Sequence, residues 1–99
     1  MAESELALVR AAADRVEALA ARSTGGTWTT RGLLASRPEV VAVRQDGSTE
    51  HVAEARARSA EWIVALSPAL AGPLAGWLRS AAREPVDPHA LALARVLAP

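Results

Sequence analysis

The sequence predicts a small α+β domain: an N-terminal helix, a small antiparallel β-sheet of two or three strands, then two or three C-terminal helices. Three observations carry this expectation. Residues 4–22 place apolar side chains at steps of three and four. Residues 27–53 switch to threonine and valine around an Asp-Gly turn. From Ala55 onward, leucine and alanine dominate a stretch punctuated by two cap-plus-proline helix starts. At 99 residues the chain fits one small domain, 1–99, with no linker, repeat or low-complexity tract.

In the first helix, Leu6, Val9, Ala13, Val16 and Ala20 share a face, with Arg10, Asp14, Glu17 and Ala21 opposite. Ser4 is the expected N-cap, and Glu3 and Glu5 suit the positive end of the helix dipole. Ser23-Thr24-Gly25-Gly26 stops the helix. Thr27–Thr30 is β-prone, a mixed stretch runs through Arg37 and Pro38, and Val40, Val41 and Val43 form a second strand. Gln45-Asp46-Gly47-Ser48 is the strongest turn signal in the chain, and Thr49–Ala53 is the returning strand.

The next helix has an apolar stripe of Ala60, Ile63, Val64 and Leu66, with Trp62 at its edge. Ser67-Pro68 starts another, whose stripe is Leu70, Leu74, Trp77, Leu78 and Ala81. Pro73 removes a backbone bond there, so either the first turn is separate or the helix kinks. Glu84-Pro85 ends it. Asp87-Pro88 then opens a short terminal helix on Leu91, Ala94 and Leu97.

Composition narrows the classes of function. There is no cysteine, which excludes disulfides, thiolate zinc sites and a cysteine nucleophile. The net charge is zero, so no bulk positive field draws in nucleic acid. No apolar run approaches the roughly 18–20 residues of a membrane span. Residues 1–22 alternate charge with alanine, unlike a signal peptide, so a cytoplasmic protein is expected. All 11 basic residues are arginine and about a quarter of the chain is alanine, the signature of a GC-rich genome.

The order Gly26-Thr27-Trp28, a valine-rich hairpin, His51-Val52-Ala53-Glu54, Ser59 to Pro68 (SAEWIVALSP) and Trp77-Leu78-Arg79 resembles the Ead-like small proteins of phages and prophages and related actinobacterial families. Their layout is G-P-W, V-A, D-A-x-x-I-A, S-P. The resemblance covers residues 4–83, and the capped tail from Asp87 is similar to tails of the actinobacterial relatives. Thr27 stands where proline is usual, and Glu61 follows Ala60 where the pattern has Asp-Ala. The resemblance implies a mobile-element origin and brings no activity or catalytic residues with it.

No catalytic constellation is legible, and neither an enzyme activity, a cofactor nor a metal is expected. His51 and His89 are the only imidazoles. Glu50 points to the opposite strand face from His51, and His89 falls in the first turn of a helix. The serines sit in no nucleophile motif, and no glycine loop precedes a helix at phosphate-binding spacing. Arg44, Arg56 and Arg58 are the candidate phosphate contacts, weighed against pairing with Glu50, Glu54 and Glu61. Trp62 and Trp77 read as core, whereas Trp28 reads as partly exposed and available to an interface. Leu91, Leu93, Val96 and Leu97 wrap most of the terminal helix, as in either a closing helix or an association surface. The expected function is a non-enzymatic module that forms a homodimer and binds a host or phage protein; the alternative is a nucleic-acid accessory protein using the three arginines.

Overall fold

A computed structural model describes residues 2–32 and 38–98. The elements are α1 (Ala2–Arg22), β1 (Thr27–Gly32), β2 (Pro38–Val43), β3 (Thr49–Glu54), α2 (Ala57–Ala65), a 3₁₀ turn (Pro68–Leu70), α3 (Ala71–Ala81) and α4 (Pro88–Leu97). The fold class is α+β, with a three-stranded antiparallel sheet in the order β1-β2-β3. The chain divides into two compact units: Met1–Ala21 with Ala71–Pro99, and Arg22–Leu70.

The first unit holds α1, α3 and α4 around Val9, Ala12, Ala13, Ala75, Leu78, Ala82, Ala90 and Ala94. Six of these eight side chains are alanine. Val9 and Leu78 are the larger side chains of this interior, and Leu8, Leu74, Leu93 and Leu97 pack against it from its margin. Of the expected stripe of α3, Leu78 is fully buried and Leu74 and Ala81 pack against the core, while Leu70 and Trp77 are exposed; Ala71 and Ala75 complete the buried row. Trp77 is 43% exposed, which corrects its reading as core: one residue before the buried Leu78, it is turned about 100° around the helix axis from it.

The ends of these helices follow local chemistry. α1 begins at Ala2, so Ser4 lies inside its first turn and is not its cap. The 3₁₀ turn answers the question at Pro73: the first turn is separate, and Pro73 is the third residue of α3, where the amide has no intrahelical partner to lose. Asp87 caps α4, its Oδ1 accepting from the amides of His89 (2.7 Å) and Ala90 (3.4 Å).

The second unit is the sheet with α2, which packs on β1 and β2. Val40, Val41 and Ala42 of the central strand and Ala60 of α2 are buried. The hairpin between β2 and β3 closes where the Gly47 amide donates to Arg44 O (2.9 Å), leaving Gln45 and Asp46 at the turn centre. Gly47 follows with φ +84°, the left-handed conformation glycine adopts without strain. Asp46 Oδ1 accepts from both the amide (2.9 Å) and the hydroxyl (2.6 Å) of Ser48.

Two predictions follow from these turns and caps. Gly26 has φ +95°, and an added Cβ would lie 2.8 Å from Val43 O; at Gly47 the same atom meets nothing. Gly47→Ala should therefore cost the backbone penalty alone, about 1–2 kcal/mol, and Gly26→Ala distinctly more, measured by urea unfolding. Asp87→Ala should cost about 1 kcal/mol through the two orphaned amides of α4, read in the same assay.

Candidate functional site

The sheet carries a polar cluster that the sequence reading missed. Glu39, at the second position of β2, is 5% exposed among valines. The β1–β2 register sets Arg31 directly opposite Glu39, and Arg31 reaches Glu39 Oε1 at 3.1 Å. His51, opposite Val41 on β3, donates from Nδ1 to Glu39 Oε2 at 2.5 Å. One carboxylate thus ties the outer strands to the central one, with both of its oxygens occupied.

The register between β2 and β3 shifts at Val40/Val41: Val41 faces His51, while Val40 faces Ala53. Val52 is thereby the extra residue of a β-bulge. The bulge reverses the alternation of side chains, so Glu54, opposite Glu39, shares a face with His51 even though the two are an odd number of positions apart. Glu50 lies on the other face, as expected, and pairs with Arg44. The hydrogen bond from His51, helped by Arg31, holds the Glu39 carboxyl below the ordinary glutamate value, outweighing its desolvation. Arg44 lowers Glu50 in the same way.

The arrangement can orient an imidazole: Nδ1 is anchored on a carboxylate, and the His51 side chain is half exposed. Two depressions, one at Gly25–Thr27 with Val43–Gln45 and one lined by Trp77, Arg83 and Asp87, do not include His51. Among the described residues no group of three or more His, Asp or Glu is arranged to hold a metal ion. What the geometry shows the cluster doing is binding three strands together.

The arginine candidates are not brought together. Arg44 stands at the hairpin end of the sheet, while Arg56 and Arg58 follow the far end of β3, a strand of six residues or about 17 Å. Arg56 is the N-cap of α2, its side chain making no capping bond, and Arg58 lies in the first turn. Both are exposed.

Trp28 is half-buried, its indole N–H donating to Thr24 O at 3.0 Å. Leu91 is buried at 8% exposure, Leu93 and Leu97 pack against the helical core, and Val96 stands out at 75%. Trp62, read from sequence as core, is 69% exposed, and Leu66, one turn later, is 50% exposed. α2 buries Ala60 and half-buries Ile63 and Val64, a row on which Trp62 does not lie.

The clasp has a pH signature. Because the folded pKa of Glu39 is lowered, its contribution is complete above the unfolded value near 4.5 and disappears as pH falls through the folded value. Glu39→Gln should lower stability near neutral pH, and the gap to wild type should close as pH falls below about 4. Urea midpoints across pH check this; a gap that stays constant to pH 3 would remove the electrostatic role of Glu39.

Among the described residues no helix is long and apolar enough to cross a membrane. No family model, curated protein or solved structure matches the chain.

Proposed function

We propose that the protein is a non-enzymatic interaction module of the phage and prophage type its layout resembles. In this reading it acts in the cytoplasm, binding a second copy of itself and a host or phage protein. One observation supports the reading most: Trp62 and Leu66 leave a large apolar surface in water on a single helical turn, closed by the bond from the Leu66 amide to Trp62 O (3.1 Å). Burying a leucine-sized side chain is worth about 1.5–3 kcal/mol, and an indole adds comparable or greater area, so a partner covering both gains substantially. Neither side chain contributes to the buried core, which frees the pair for recognition.

Trp62→Ser/Leu66→Ser should leave the circular dichroism spectrum and urea midpoint near wild type while abolishing capture of the partner from a bacterial lysate treated with nuclease. Undiminished capture by the double variant would overturn the assignment. Val96→Ser is the matching probe on α4. Truncating the chain before Asp87 would not serve, since it removes Ala90, Leu91 and Ala94 from the interior.

A second reading, phosphate contact, is favoured by Arg56 and Arg58. They have no ion-pair partner among the described residues and stand at the positive end of α2, where an anion would be stabilised. It predicts capture that vanishes with nuclease, affinity that falls steeply with salt, and loss of both in Arg56→Gln/Arg58→Gln.

A further inference from the structure

We infer that the outer edge of β1 is the surface on which a second copy of this chain docks, two β1 strands pairing antiparallel to give a continuous six-stranded sheet. This rests on the self-association in the proposed function and names the surface responsible. The two edges of the sheet differ. β3 carries a bulge and the charged or titratable side chains Glu50, His51 and Glu54, features that discourage further pairing. β1 reads Thr-Trp-Thr-Thr-Arg-Gly, with no proline, no bulge and nearly every residue exposed, and β2 is its one strand neighbour among the described residues.

The direction of the free backbone groups follows from β2. Pro38 O accepts from the Ala55 amide (3.2 Å) and the Arg44 amide donates to Ser48 O (2.9 Å), so the even-numbered residues of β2 point their backbone groups toward β3. Glu39, Val41 and Val43 then bond to their β1 partners Arg31, Thr29 and Thr27. Trp28, Thr30 and Gly32 are left with N–H and C=O turned outward, a template for another strand.

A second copy fits this template in one register better than in another. Pairing Trp28 with Thr30 of the partner subunit matches outward groups to outward groups and places Thr29 against the partner's Thr29. Arg31 is the only charge on the strand, and this register holds the two arginines four residues apart, about 14 Å. Sliding by one step to pair Thr30 with the partner's Thr30 halves that distance and raises the repulsion. The contact is isologous and therefore closes at two copies, and the bulged β3 edges end the sheet.

The test is the mass of the full chain by light scattering from micromolar to near-millimolar concentration, with two variants. Thr30→Pro removes an outward amide without touching a bond to β2. Thr29→Cys introduces the only cysteine into the chain, at a site where paired strands bring the two sulfurs together. The inference expects wild type to rise from 10.3 kDa toward twice that mass, Thr30→Pro to stay at one chain, and Thr29→Cys to form a disulfide-linked dimer on mild oxidation. A wild type that remains monomeric throughout, with Thr29→Cys unlinked, overturns both the edge and the self-association it rests on. A wild-type dimer whose folded Thr30→Pro variant still dimerises, or whose Thr29→Cys variant stays unlinked, overturns the edge alone. Should Thr30→Pro fail to fold, the Thr29→Cys result decides.

Discussion

The rest of the structure depends on the size of the side chains that fill its two interiors. The helical unit is centred on alanines with Val9 and Leu78, and the sheet unit on Val40, Val41, Ala42 and Ala60. Interiors close to native density whatever fills them, and here alanine and valine do most of the filling. The row of each helix that turns inward carries these small residues, and Trp62, Leu66 and Trp77 lie off it, toward solvent. The apolar surface that suggests a binding role is thus a direct product of how the interiors are filled.

The sheet adds a second constraint. Burying a carboxylate among valines is unfavourable unless its charge and both oxygens are satisfied. Arg31 and His51 meet that need from opposite neighbours, so the stabilisation requires all three strands in register at once. A cluster of this kind specifies alignment as much as it adds stability. The half exposure of Arg31 and His51 gives water access to the pair and weakens its net contribution. The hairpin has its own local determinant in Asp46 and Ser48, which shape the turn without reference to anything distant.

How much of this was readable from residues alone varies with the range of the interaction. Helix ends and turns are local, and Gly25-Gly26, Asp46-Gly47 and Asp87-Pro88 each mark an observed boundary. Which face of a helix turns inward is a tertiary property. A periodic run of Leu74, Trp77 and Ala81 beside Ala71, Ala75 and Leu78 offers two neighbouring rows; the second turns fully inward, with Leu74 and Ala81 at its margin. Glu39 was illegible for a similar reason: it acquires meaning only through the register that faces it with Arg31 and places His51 nearby. The bulge at Val52 carries no signal of its own, since valine is as common in regular strands. Residues 33–37, including Arg37 in the mixed stretch, lie outside the described residues.

The alanine-lined helical interface also governs how the chain can change over generations. At Ala12, Ala13, Ala75, Ala90 and Ala94 there is no smaller residue that keeps helix propensity, and any larger one must find room in a filled interior. Drift at these sites is closed in both directions. Variation is therefore channelled onto the outward-facing positions, the same ones through which a small protein changes what it binds, so that the scaffold can be inherited nearly intact while its recognition surface diverges.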